Sequence, residues 1–251
     1  RRGTSFVALV ALLASGFTFL ETPPAANAAI VTSNLVVNLD GNSASSLAAS
    51  SPTVWNSISP ASTTPSGTIN GATRYTETNR NGLTFTNTTG VTFPAGSARA
   101  SGDMTFDAWI KPGNLAADWN MIASRWFTGP TDGGGLAKDW VIAIRSGKLY
   151  LSTTSLDGTG FYGNTTIPLT SANKWYHVGF TIDSVSGKAQ LFMNGQADSA
   201  LTTASHTDNA TAQFMLGENR TTNGIYGAPM VLSKVRLYNA ALNSSQIVQN
   251  Y

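Results

Sequence analysis

Residues 174–196 read KWYHVGFTIDSVSGKAQLFMNGQ and restrict the fold more than any other stretch. Tyr176, Val178, Phe180 and Ile182 alternate with Trp175, His177, Gly179 and Thr181, a period of two that puts the first set on one face of a strand. Residues 183–188 carry Asp, Ser and Gly, which turn a chain at low cost. Ala189, Leu191 and Met193 then alternate with Gln190, Phe192 and Asn194. Asn194-Gly195 supplies the pair of positive-φ residues that a type I′ turn requires. A lone hairpin is marginal in water, so the rest of the chain must provide a sheet around it.

It does so in short pieces. Residues 35–39, 82–86, 90–94, 104–111, 119–126, 213–217 and 229–238 read as strands, and 140–145 with 148–153 as a second hairpin turning at Ser146-Gly147. Met104, Phe106, Ala108 and Ile110 share one face of their strand. Residues 42–73 are rich in Ser, Ala, Thr and Pro and are expected to form an extended surface loop pinned by Trp55. One helix is expected, at the C-terminus, with Asn243 and Gln246 as capping box and Leu242, Ile247 and Tyr251 covering the end of the sandwich. The fold class that follows is all-β, a two-sheet antiparallel sandwich in one domain, and 251 residues suit such a domain.

With 11% charged residues and a formal charge of +2, the chain has no electrostatic case for nucleic acid. The absence of cysteine excludes disulfides and thiolate metal sites. Arg1 and Arg2, an apolar run over 6–20 and Ala26-Asn27-Ala28 form the three parts of a secretory signal peptide. About 15 apolar residues fall short of the roughly 20 that span a bilayer. The expected organisation is a signal peptide over 1–28 and a secreted or cell-surface domain over 29–251, with no membrane insertion after cleavage.

The stretches FDAWIKP (106–112), WYHVGFTID…GKAQLFMNG (175–195) and VRLYNAALNSSQI (235–247), with the opening LVVNLDGN (35–42), resemble the laminin G-like jelly roll of the concanavalin A-like lectin/glucanase superfamily. The resemblance extends over the chain from about residue 34 and implies two facing antiparallel sheets. It also implies recognition of extracellular carbohydrate or cell-surface glycoconjugates, sometimes with calcium. The quoted motifs are core and turn residues, so the site must be argued separately.

Jelly-roll glucanases carry Glu-x-Asp-x-Glu on one strand, and glycoside hydrolysis needs two carboxylates beside the scissile bond. This chain has only Glu21, Glu77 and Glu218, and no such motif, so it is read as non-catalytic. His177 is expected to be a structural imidazole and His206 a solvated one, since neither sits in a metal or nucleophile motif. The G-x-G-x-x-G at 158–163 is followed by Asn-Thr-Thr-Ile-Pro, which opens no helix, so it is no dinucleotide site. No cofactor is required; calcium is the one candidate, near Asp40, Asp132 and Asp157, each in an Asp-Gly turn. Sugar binding favours an exposed aromatic ring beside amide and carboxylate groups. Trp126, Trp140, Phe161 and Tyr162, with Asp132, Asp157 and Asn164, cluster in or beside two Gly-rich loops and are the candidate ligand-binding set. Trp109, Trp119 and Trp175 are expected in the core. The alternatives are an adhesive domain binding protein and a degenerate relative of the glucanases.

Overall fold

The computed structural model describes residues 29–61, 65–116, 119–128, 137–154, 160–201, 204–221 and 224–251. In chain order the strands are β1 (Leu35–Asp40), β2 (Val54–Asn56), β3 (Ser66–Asn70), β4 (Thr73–Tyr75), β5 (Gly82–Phe85), β6 (Gly90–Thr92), β7 (Met104–Pro112), β8 (Asn120–Thr128) and β9 (Ala137–Arg145). There follow β10 (Lys148–Thr154), β11 (Gly160–Asn164), β12 (Tyr176–Asp183), β13 (Lys188–Met193), β14 (Gln196–Leu201), β15 (Met215–Leu216), β16 (Glu218–Thr221), β17 (Gly224–Gly227) and β18 (Met230–Tyr238), then helix α1 (Ser244–Asn250). Two sheets result. The first runs β14-β13-β12-β7-β18-β5-β4, with β1 also on β18. The second runs β11-β10-β9-β8-β15-β6-β3-β2, with β16 and β17 attached at β8. All pairings between these strands are antiparallel except β16 on β8. The expected sandwich is present, with one short helix.

Between the sheets lies one core. Val178, Phe180 and Ile182 of β12, Phe106 and Ile110 of β7, and Ile142 and Leu151 of the second sheet are all fully buried. Burying a side chain of this size stabilises the fold by about 1.5–3 kcal/mol. Asn194 (φ 52°) and Gly195 (φ 76°) make the anticipated left-handed pair. The chain beyond them is strand β14, which the sequence reading missed. Gly179 is required where it is: a Cβ there would collide with the Phe106 carbonyl and the Phe192 ring. Trp55 is buried as expected, but the 42–73 stretch also contains β2 and β3, pairing at the sheet edge.

The outer face of the first sheet is not left to solvent. His177, predicted on the polar side of β12, is fully buried, as are Asp107 and Arg236 on the neighbouring strands. Helix α1 has its full capping box, Asn243 with Gln246. It lies over this outer face rather than the end of the sandwich, because Ile247 and Leu242 find Phe192 and Tyr238 there. The segment from Ala29 closes the same layer: Gln249 donates to the Ala29 carbonyl, and Val31 N–H to Asn250 Oδ1 at 3.1 Å.

Candidate functional site

The outer face of the second sheet is built from two rows. Ser152 pairs with Val141, Val141 with Ser124 and Ser124 with Met215. Beside that row, Asn164, Tyr150, Ala143 and Met121 are cross-strand neighbours. Two bulges shape the surface. The register skips Ile122 on β8, and beyond Arg125 it skips Asp139 on β9. Each bulge moves the alternation by one residue. Trp119, Met121, Ser124 and Trp126 therefore share the outer face, and both tryptophans pack on Met121, Val141 and Ala143. Along the strand they are roughly 20 Å apart.

At one end of the face, Trp119 meets Tyr150 edge-on at 5.3 Å between ring centroids. Arg145 lies over both rings, 4.1 Å from the Trp119 centroid and 4.9 Å from that of Tyr150. The hydroxyls of Ser152 and Thr154 are buried and lack a hydrogen-bond partner. Groups of this kind are normally satisfied by ordered water or by a ligand. The floor of this face is itself buried, with Met121, Val141, Ala143 and Ser152 each under 5% exposed, so the half-buried rings of Trp119 and Trp126 and the exposed amide of Asn164 are what it offers at the surface.

The sequence-predicted residues divide around this face. Trp126 is half-buried on it, and Asn164 is exposed on the edge strand β11. The backbones of Phe161 and Tyr162 belong to β11, so this part of the Gly-rich stretch is strand rather than loop. Tyr162 is registered opposite Ser152. Asp132 and Asp157 lie outside the described residues, as does the signal segment 1–28. Trp140 is a correction. It is 1% exposed and packs against Phe106, Phe180 and Phe214, because β9 turns it into the core. Its ring offers no surface to a ligand. Trp119 and Trp175 are corrections in the other direction, since both are half-exposed. Trp109 is buried as expected, but beneath Arg80 and Tyr251 on the outer face of the first sheet.

Trp175 belongs to a second, tightly bonded surface on that first sheet. Its indole N–H donates to Glu77 Oε2 at 2.8 Å, and Tyr75 donates to the same oxygen at 3.0 Å. Lys111 donates to the Tyr75 hydroxyl at 2.8 Å, and Arg80 is stacked 3.7 Å over Trp109. The indole hydrogen bond, with the neighbouring phenol and ammonium, outweighs desolvation and holds the Glu77 carboxyl below its usual value.

Neither histidine builds a reaction centre. His177 is enclosed by Trp109, Phe192 and Tyr251; burial lowers its pKa, more than Asp107 at 3.3 Å raises it. His206, expected in solvent, is a correction: its side chain is 2% exposed. Nδ1 lies 2.9 Å from Asp139 Oδ1, and Nε2 2.7 Å from the Gly102 carbonyl. The β9 bulge aims Asp139 at it, and Asp139 also accepts from Arg125 Nε at 3.1 Å. Glu77 lies in the loop between β4 and β5 of the first sheet, and Glu218 opens β16 of the second. Glu218 is buried and accepts the Thr92 hydroxyl at 2.9 Å. Of the calcium candidates only Asp40 is described. It accepts from Asn42 N–H at 2.9 Å and has Lys234 at 3.8 Å. A single carboxylate beside a lysine does not fit an ion that takes 6–8 oxygens. No group of three His, Cys, Asp or Glu comes together among the described residues. No helix there is long and apolar enough to cross a membrane.

A sequence comparison with curated proteins finds no match. By structure, the chain is similar to a Trypanosoma rangeli sialidase mutant displaying trans-sialidase activity, at TM-score 0.62 and 20% identity over 88% of this chain and 33% of that one. It is similar to domain 4 of AbnA, a GH43 extracellular arabinanase from Geobacillus stearothermophilus, solved with arabinotriose, at TM-score 0.61 and 18% identity over 88% and 99%. The botulinum neurotoxin type G receptor binding domain aligns at TM-score 0.58 and 11% identity over 87% and 51%. The chain thus spans about a third of the sialidase and half of the toxin fragment. These likenesses are likenesses of fold. A laminin G-like family model, Laminin_G_3, described as concanavalin A-like lectin/glucanases superfamily, matches residues 85–248. The chain belongs to this laminin G-like family of the concanavalin A-like lectin/glucanases superfamily.

Proposed function

We propose that this is a secreted or cell-surface recognition domain, without catalytic activity, that binds an extended carbohydrate on the outer face of β8–β11. The observation that carries the reading is the pair Trp119 and Trp126, brought to one face by the β8 bulge and seated on a common apolar floor. Their spacing of roughly 20 Å suits a polysaccharide or glycoconjugate chain better than a single sugar ring. Asn164, exposed on β11, would supply hydrogen bonds beside the rings. The arabinanase domain solved with arabinotriose has the same fold and lends support by analogy alone. Export rests on the sequence features of residues 1–28.

The test is a calorimetric titration of residues 29–251 against a panel of soluble polysaccharides, with calcium and again with chelator. Saturable binding to one glycan class supports the reading, and loss on chelation would add a cation to the site. A cooperatively folded chain that binds no glycan refutes it. A second reading, adhesion to a protein, draws on the half-exposed Trp175, Tyr75 and Arg80 of the opposite face. These are residue types enriched at protein interfaces.

A further inference from the structure

We infer that His206 is a proton-operated clasp: its charged ring ties the 204–212 loop to the β9 bulge that sets the face of Trp126, and its neutral ring releases that tie. Both ring nitrogens face oxygens. Nδ1 is 2.9 Å from Asp139 Oδ1, and Nε2 is 2.7 Å from the Gly102 carbonyl. A carboxylate and a carbonyl only accept hydrogen bonds, and a neutral imidazole carries a single N–H. Only the charged ring can therefore donate to both. The neutral ring has another set within reach: it donates from Nε2 to Gly102 and accepts at Nδ1 from the Asp208 N–H, 3.3 Å away. Asp139 then faces a lone pair, and the link from loop to β9 through this ring is lost.

Among the described residues, the charged groups around the ring are Asp139 from β9, Arg125 from β8, Arg99 from the segment before β7 and Asp208 from the loop itself. Asp103, next to Gly102, is turned to Ser184. Arg125 Nε donates to Asp139 Oδ2 at 3.1 Å, and Arg99 holds Asp208 from Nε and Nη2 at 2.9 and 2.7 Å. Each carboxylate thus keeps an arginine when His206 is neutral. The loop loosens rather than leaves, because Arg125 Nη2 still donates to the Asn209 carbonyl at 2.8 Å. Burial works against a charge on His206, and Asp139, the Gly102 carbonyl and Asp208 outweigh it. Asp139 is also the residue that the β8–β9 register skips between Arg125 and Trp126. A proton on His206 steadies that bulge from one side, so the glycan affinity of the face is expected to fall as pH rises past neutral. This last step rests on the reading of the face given above.

The experiment follows isotope-labelled residues 29–251 by NMR from about pH 5.5 to about pH 9, the range in which a histidine changes charge. The ring nitrogens report the charge of His206 directly, and His206→Gln identifies their signals, since the chain has only one other histidine. A His206 midpoint above the ordinary 6.5 is expected. The Trp126 indole resonance should move at that same midpoint. Hydrogen-exchange protection of the 204–212 amides, corrected for intrinsic exchange, should fall there by about fivefold or more. In His206→Gln both changes disappear. Loop protection or a Trp126 signal indifferent to the His206 titration overturns the inference, and the wild-type data alone show this if the variant does not fold. Any polysaccharide that binds in the calorimetric panel is then titrated at both ends of the range. Several-fold weaker binding at the higher pH, absent in His206→Gln, is expected, and equal affinity overturns the coupling to the site. If no glycan binds while the loop and Trp126 follow His206, the glycan reading falls and the clasp stands.

Discussion

Arg236 donates from Nε to Asp107 Oδ1 at 2.7 Å, with both side chains buried beneath the C-terminal helix. The partners complete a closed network. Asn250 donates its side-chain amide to Asp107 Oδ2 at 2.9 Å, and its backbone carbonyl accepts from Arg236 Nη2 at 2.8 Å. Burial pushes the Asp107 carboxyl up, but the charge of Arg236, the His177 ring 3.3 Å away and the Asn250 hydrogen bond outweigh it and hold it below the usual value. Arg236→Met leaves that buried carboxylate without its cationic partner, and is expected to cost about 3–5 kcal/mol. Adding Asp107→Asn removes the stranded charge and should recover part of the loss. Urea unfolding of the two variants checks the order; a single variant as stable as the wild type would contradict it.

His206 and Asp139 predict a pH dependence of stability. Burial opposes a charge on His206, but the Asp139 hydrogen bond and charge, with the Gly102 carbonyl, outweigh it and raise the pKa above the ordinary 6.5. A group raised on folding gives its full stabilisation below the unfolded value and loses it as pH rises through the folded one. Relative to His206→Gln, the wild type is therefore expected to lose its advantage from about pH 6.5 upward. Denaturation midpoints of both proteins across that range measure it.

Trp140 separates core from site. Trp140→Ala removes a ring packed between Phe106, Phe180 and Phe214 and should cost about 3–5 kcal/mol of stability. Below its melting transition the variant is expected to bind glycan with unchanged affinity, because the ring faces away from the surface. Thermal melting and one titration decide both halves.

The sandwich was legible in the sequence because strict alternation, as in Met104 to Ile110 and Tyr176 to Ile182, survives wherever strands pair regularly. The tryptophans show where that legibility ends. Trp126 follows Trp119 by seven positions, an odd offset that places them on opposite faces of a regular strand. The bulge at Ile122 reverses this, and nothing in WNMIASRW announces a bulge. The same kind of shift on β9 turned Asp139 toward His206, an imidazole that looked solvated in a polar loop. Trp140 failed for a different reason: proximity to a Gly-rich loop in sequence says nothing of which face a side chain takes. The capping box of α1 was readable because its two partners are local. The face that helix covers was not, since contacts with Phe192 and Tyr238 are set by the tertiary fold.

The central claim is that the face carrying Trp119 and Trp126 binds the ligand, and one set of titrations tests it most directly. Trp119→Ala, Trp126→Ala and, on the opposite sheet, Trp175→Ala would each be titrated with whichever polysaccharide binds the wild type, after confirming cooperative melting. The account predicts that each of the first two weakens binding about tenfold or more, roughly 1.4 kcal/mol or above, while Trp175→Ala binds like the wild type. Undiminished binding by Trp119→Ala and Trp126→Ala, with loss in Trp175→Ala, would contradict it and move the site to the other face.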